Sequence, residues 1–162
     1  MMKAKTILVP LDGSSLAETA LAPAMEIARE NDGKLILLRA AVAHTLPMAD
    51  LTEAQVDAVR EAEAYLTAAK NRATVGGVAD VDISVWYGQP VEAIVEAARF
   101  RKADLIVMSS HGRSGMKRLV LGSVAESVLR MTMVPVLLIR PGGAVHETPA
   151  TGEPLAKEIA RV

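Results

Sequence analysis

The stretch Leu105-Ile106-Val107-Met108-Ser109-Ser110-His111-Gly112-Arg113-Ser114-Gly115-Met116-Lys117-Arg118-Leu119-Val120-Leu121-Gly122-Ser123 reads as a buried strand, a loop of small residues and the start of a helix. Four consecutive apolar residues, Leu105 to Met108, suit a strand covered on both faces. The Ser and Gly residues that follow let backbone approach a ligand closely, and exposed amides in such loops favour anions. Gly122-Ser123 at a helix start adds free amides and the positive end of the helix dipole. In an open α/β sheet, ligands gather at the carboxyl ends of the strands, which is where this loop would lie.

Similar units recur on either side. Thr6-Ile7-Leu8-Val9 is a compact strand run ended by Pro10 and the turn-forming Asp12-Gly13. Leu35 to Leu38 and Val136 to Ile139 are further unbroken runs. Val81, Ile83 and Val85 instead alternate with Asp82, Ser84 and Trp86, the pattern of a half-exposed strand at a sheet edge.

Helical patterns fill the intervals. Ser15-Leu16-Ala17-Glu18 has capping-box spacing, and Ala17, Ala20, Leu21, Ala24, Ile27 and Ala28 follow at helical intervals across Pro23, which lacks a donor. Thr52-Glu53-Ala54-Gln55 is a second such box, opening a helix with Val59, Ala62, Leu66 and Ala69 on one stripe and Gly76-Gly77 at its end. Pro90 suits the first turn of a third helix carrying Val91, Ile94, Val95 and Ala98. A short helix follows from about Ser123 to Arg130. The expected fold is α/β: a three-layer open sheet of five mainly parallel strands, with right-handed crossovers placing helices on both faces. Residues 1–140 form one domain. Residues 141–162 read as a tail, rich in Gly and Pro, in which Leu155, Ile159 and Val162 could make an amphipathic turn or two.

Composition narrows the function. The chain has 162 residues, 18 basic against 19 acidic, for a net charge of -1. Such balance argues against a general nucleic-acid coat. One Trp, two Tyr and one Phe are too few for a base-stacking platform. The charge is unevenly placed: Arg99 to Arg118 holds six basic residues and one acidic, so the remainder carries -6. Arg113, Lys117 and Arg118 adjoin the glycine loop. Cysteine is absent, which excludes disulfides, thiolate catalysis and Cys-based zinc sites. No apolar run approaches the roughly 20 residues of a membrane span, and the N-terminal run is too short for a signal-peptide core. A cytoplasmic protein without membrane partners is expected.

The spacing Ser109-x2-Gly112-x9-Gly122-Ser123 resembles the nucleotide-binding signature Gly-x2-Gly-x9-Gly-Ser/Thr of the ATP-binding branch of universal stress proteins. The Pro10-Leu11-Asp12 turn and the run Val134-Pro135-Val136-Leu137-Leu138-Ile139-Arg140 are similar to that family too. The likeness covers about residues 3 to 140 and implies the adenine nucleotide alpha hydrolase-like fold. It implies that Asp12 holds the ribose or adenine edge, with Pro10 and Leu11 shaping that wall. Ala40 would meet adenine through backbone, Met108 would line the base pocket, and Gly112, Gly122, Ser123 and Val124 would contact phosphates. Ser109, His111 and Arg113 complete the candidate binding set. There are two departures: Ser109 replaces the first signature glycine, and Arg39 stands where histidine is expected.

The resemblance implies binding of ATP, AMP or ADP, with Mg²⁺ accompanying a triphosphate, and a homodimer joined through residues 134–140. Val136 to Ile139, at a sheet edge, is the sort of strand that needs covering.

Simpler roles stand beside these. Asp12 could close a turn or cap a helix, Ser123 with Glu126 has capping-box spacing, and Gly122 could serve close packing. His111 suits a backbone-bonding spacer better than a general base, and the Arg113/Lys117/Arg118 group could be a solvated face. Gly-x4-Gly-Lys-Ser/Thr, Gly-x-Gly-x2-Gly and Gly-x-Ser-x-Gly are all absent, and His44, His111 and His146 lack metal-site spacing. No catalytic or metal-ligating residue is therefore assigned. Two alternatives to a binding and regulatory module stay open: a slow ATP-hydrolysing enzyme at the same pocket, or a nucleotide-free dimeric interaction protein.

Overall fold

The computed structural model describes residues 3–43, 47–48, 50–111 and 121–142. In chain order the elements are β1 (Thr6–Pro10), α1 (Ser15–Glu18), α2 (Leu21–Asn31), β2 (Lys34–Ala41), α3 (Leu51–Val75), β3 (Asp80–Tyr87), α4 (Pro90–Phe100), β4 (Leu105–Ser109), α5 (Ser123–Met131) and β5 (Val136–Ile139). The strands form one parallel sheet in the order β3-β2-β1-β4-β5. That is the expected three-layer α/β architecture, and the alternating strand β3 is an edge. The unbroken run of β5 also lies at an edge, where Leu137 is exposed. An apolar run therefore marks a centre only when both faces and both edges are covered.

Alternation along the central strands builds two cores. Ile7, Val9, Leu35, Leu37, Leu105 and Val107 face α2 and α3, against Ala24, Ala28, Leu66, Ala69 and Ala73. Leu8, Ile36, Leu38, Ile106 and Met108 face α4 and α5, against Ile94, Ala97, Ala98, Ala125 and Val128. Alanine on the sheet-facing side of each helix lets the layers approach closely.

The helix starts correct the sequence reading. The helix expected from Ser15 onward is two helices, α1 and α2. Ser14, with extended backbone, caps α1 by accepting the Ala17 N–H at 3.1 Å. Thr19 ends α1, its hydroxyl donating to the Leu16 carbonyl at 2.6 Å. The chain restarts at Leu21, which puts Pro23 in the first turn of α2, where its missing N–H has no intrahelical partner to lose. Asp50, rather than Thr52, caps α3, accepting from the Thr52 and Glu53 amides. Gly122, rather than Ser123, occupies the N-cap of α5; Ser123 is its first helical residue. Pro90 opens α4 as expected. The tail beyond residue 142 lies outside the described residues.

Candidate functional site

β1 pairs with β2 on one side and β4 on the other, so the order of connections reverses there. Its pairing with β4 covers only Ile7–Leu8 against Leu105–Ile106, while its pairing with β2 runs on to Pro10–Leu38 and the Leu11 N–H to Leu38 O bond at 2.8 Å. Above the last β1–β4 rung is a cavity of about 530 Å³. It is the carboxyl-end crevice of a topological switch point, the usual ligand position in an open α/β sheet.

Ten of the twelve sequence-predicted residues line it: Pro10, Leu11, Asp12, Ala40, Met108, Ser109, His111, Gly122, Ser123 and Val124. Gly112 and Arg113 fall outside the described residues, as do Lys117 and Arg118. Asp12 is set by the turn after β1: its Oδ1 accepts the Ser14 N–H at 2.9 Å and the Ser14 hydroxyl at 2.5 Å. One serine thus orients the pocket carboxylate and caps α1.

The loop after β4 is held by its own backbone. The Ser110 N–H donates to the Ile139 carbonyl at 2.8 Å, and the Ser110 carbonyl accepts the Gly122 N–H at 2.8 Å. These bonds lay the start of α5 across the end of β4. Only glycine fits at position 122: a Cβ would sit 2.8 Å from the Ser110 carbonyl oxygen. The backbone there (φ -60, ψ 147) is open to any residue, so the requirement is close approach.

Ser109, at the altered signature position, is buried, and its Oγ accepts the His111 N–H at 3.3 Å. The amides of Ser110 and His111 are therefore both used internally. The first turn of α5 differs: no side chain caps it among the described residues. Its amides and dipole are the part of the described pocket best suited to an anion.

Leu38, Ala40, Ile94, Met108 and Val124 give the cavity an aliphatic lining, and among the described residues no aromatic side chain lines it. A flat heterocycle would be held there by aliphatic contact and backbone. His111 Nδ1 lies 2.9 Å from the Ser110 hydroxyl, while Nε2 is buried without a hydrogen-bond partner among the described residues. This Ser–His pair has no third group orienting the imidazole among the described residues, unlike an activated nucleophile.

Sequence reasoning missed Ser110, the α4 start at Gln89 and Pro90, and Ala58 and Glu61 on α3, all lining the cavity. Ala58 lies one turn before Ala62 on the buried stripe of α3, which was the available signal. Arg39, noted only as a departure, is 8% exposed. Its guanidinium carbon lies 4.9 Å over the Tyr65 ring, and Nη2 donates to Glu61 Oε1 at 3.1 Å. Tyr65 donates to Glu18 Oε1 at 2.8 Å, and Arg72 Nη2 pairs with the same oxygen at 3.0 Å. Burial first, and then this bond to a carboxylate, push the Tyr65 hydroxyl pKa upward, so it stays a donor.

The model of the universal stress protein family matches residues 3–140. A curated relative from Staphylococcus aureus strain USA300, whose name describes a universal stress protein, is 33% identical over 157 residues, covering 95% of this chain and 92% of its own. The solved UspA of Lactobacillus plantarum has the same fold, with a TM-score of 0.74 at 23% identity, over 84% of this chain and 97% of that one. A universal stress protein solved in complex with cAMP is 32% identical, with a TM-score of 0.65, over 85% of this chain and 98% of that one.

Proposed function

This chain belongs to the universal stress protein family, and from that premise we propose that it is an adenine-nucleotide-binding regulator or sensor acting as a homodimer in the cytoplasm. The observation that carries the reading is the switch-point cavity itself. It joins an aliphatic wall suited to a base, a fixed carboxylate at Asp12 suited to a ribose or adenine edge, and the uncapped first turn of α5 suited to phosphate. A relative of 32% identity in complex with cAMP supports an adenine nucleotide as the occupant.

In this reading residues 1–140 are the nucleotide-binding domain and 141–162 a tail. Pro10, Leu11, Ala40 and Met108 shape the base and sugar walls. Gly122, Ser123 and Val124 meet phosphate, with Gly112 and Arg113 contributing from the loop. Among the described residues no three His, Asp or Glu side chains gather as cation ligands. A Mg²⁺ ion accompanying a triphosphate needs no such cluster, since that ion is usually held by one or two carboxylates, the phosphates and water. Dimerisation through 134–140 is supported by the exposed apolar surface of Leu129, Met131, Met133 and Leu137 on α5, β5 and the turn between them.

The test is direct. The purified protein is denatured and the released small molecules identified, then ATP, ADP, AMP and cyclic nucleotides are titrated by calorimetry. Saturable binding of an adenine nucleotide is expected; none at millimolar concentration overturns the proposal. Slow hydrolysis is the second reading, for which His111 and Asp12 both line the cavity. It requires turnover that survives extensive purification and is lost in His111→Ala.

A further inference from the structure

The nucleotide reading leaves one part of the cavity unused. Successive side chains on β2 point to opposite faces, so Ala40 opens toward α4 and α5, and Arg39 toward α1 and α3. At that second end Arg39 lines the cavity with Ala17, Ala58 and Glu61. Its guanidinium lies over the Tyr65 ring and close to Gly13, where an added Cβ would be 3.5 Å from Cζ, Nη1 and Nη2. A guanidinium carries five N–H donors, yet the one hydrogen bond it makes among the described residues goes to Glu61. The Arg39 side chain is 10% exposed and that of Glu61 is 75% exposed. Among the described residues, the one carboxylate paired with this buried cation stands largely in water.

Glu61, standing largely in water, can turn into solvent if another anion takes its place, and a phosphoryl group offers the planar fork two acceptors at once. In the sheet order β3-β2-β1-β4-β5, Asp12 in the turn after β1 lies between Arg39 on β2 and the β4–α5 end. A continuous polyphosphate spanning that distance would meet the carboxylate. A ligand with two separated anionic groups, joined by a hydroxyl-bearing sugar that donates to Asp12, would not.

We propose that Arg39 forms a second anion subsite on the α3 side of the sheet, where the guanidinium exchanges Glu61 for a phosphoryl group on the ribose of a nucleotide whose 5′-phosphate sits at α5. This rests on the adenine-nucleotide reading for the remainder of the ligand. Arg39 and Glu61 then set specificity for a nucleoside bisphosphate over a monophosphate.

The experiment is calorimetric titration of the full chain with AMP, adenosine 3′,5′-bisphosphate and adenosine 2′,5′-bisphosphate. The wild type is expected to bind one bisphosphate about tenfold more tightly than AMP, and the pair of isomers shows which ribose position carries the group. Arg39→Met should bring that ratio close to one, while Glu61→Gln should raise it. A wild-type ratio near one for both isomers, or the same ratio in wild type and Arg39→Met, overturns the proposal. If Arg39→Met does not fold, Glu61→Gln decides, because residue 61 is exposed: an unchanged ratio overturns the subsite. If AMP itself fails to bind, the nucleotide reading has failed separately. The subsite is then judged by the Arg39 Nε–H resonance under titration with inorganic phosphate, where a saturable shift supports it and no shift overturns it.

Discussion

Replacing Gly122 by Ala tests the join between β4 and α5 most sharply. A Cβ on residue 122 would lie 2.8 Å from the Ser110 carbonyl oxygen and 3.5 Å from His111 Cα. Both neighbours are backbone, and the same Ser110 oxygen accepts the Gly122 N–H at 2.8 Å, so neither can yield by changing rotamer. Forcing extra volume into a packed site costs about 1–3 kcal/mol. Losing glycine at an N-cap adds about 0.5–1 kcal/mol. The stiffer unfolded chain offsets about 0.4–1 kcal/mol of this, since φ and ψ at 122 suit alanine. The net loss is then about 1–3 kcal/mol. For a domain of this length it corresponds to a drop in Tm of about 3–10 °C.

The same displacement moves the first turn of α5 away from the cavity, so adenine-nucleotide affinity should fall by roughly tenfold or more, equivalent to about 1.4 kcal/mol. Thermal denaturation by circular dichroism and calorimetric titration read the two effects. An alanine variant with unchanged Tm and unchanged affinity would refute the close-approach argument.

Other outcomes follow from the same geometry. Ser123→Ala should leave Tm within about 0.5 kcal/mol equivalent, because Ser123 is an exposed first helical residue that makes no cap, yet weaken nucleotide binding; a large loss of stability would restore the capping-box reading. Ser14→Ala removes both the α1 cap and the two bonds that set Asp12, and should cost about 1 kcal/mol together with nucleotide affinity, as judged by melting and titration. At Asp82, partial burial raises the carboxyl pKa, but the Arg101 bond, the Ile83 N–H and the nearby charges of Arg101 and Lys34 outweigh it and hold the group below its ordinary 3.8. A depressed carboxyl stabilises the fold above its unfolded pKa, and the benefit disappears as pH falls through the folded value. Asp82→Asn should therefore cost at most about 1 kcal/mol near neutrality for this partly exposed pair and nothing in strong acid, measured by denaturant titration at several pH values. Leu137→Glu, on the exposed edge strand, should convert the proposed dimer to monomer in light scattering without unfolding it; an unchanged mass would place the interface elsewhere.

The fold was largely legible because its signals are local and periodic. The runs Ile7 to Val9, Leu35 to Leu38 and Leu105 to Met108 are apolar on both faces, and strands with two covered faces have little other choice. Helix starts were less legible. A Ser-x-x-Glu or Thr-x-x-Gln spacing fits several frames, while the actual cap is the residue whose backbone is extended and whose oxygen reaches the open amides. That selects Ser14 over Ser15 and Asp50 over Thr52. At the site, ten candidate positions could be named because the chain delivers them at strand ends and a helix start. Glu61 and Gln89 could not, since they reach the cavity from elements distant in sequence.

The sequence by itself determined the layer architecture, the strand-end location of the site and the family, because alternation, breakers and a spaced Gly-Ser signature are properties of the chain alone. Only the tertiary structure decided what the unusual residues do. Ser109 turns its hydroxyl onto the His111 amide, and Gly122 is required by a carbonyl contributed from the end of another element. Arg39, one residue from the candidate Ala40, becomes a buried cation only because α3 brings Tyr65 and Glu61 over it. Charge, burial and steric fit belong to pairs of groups, and those pairs exist only once the elements are packed.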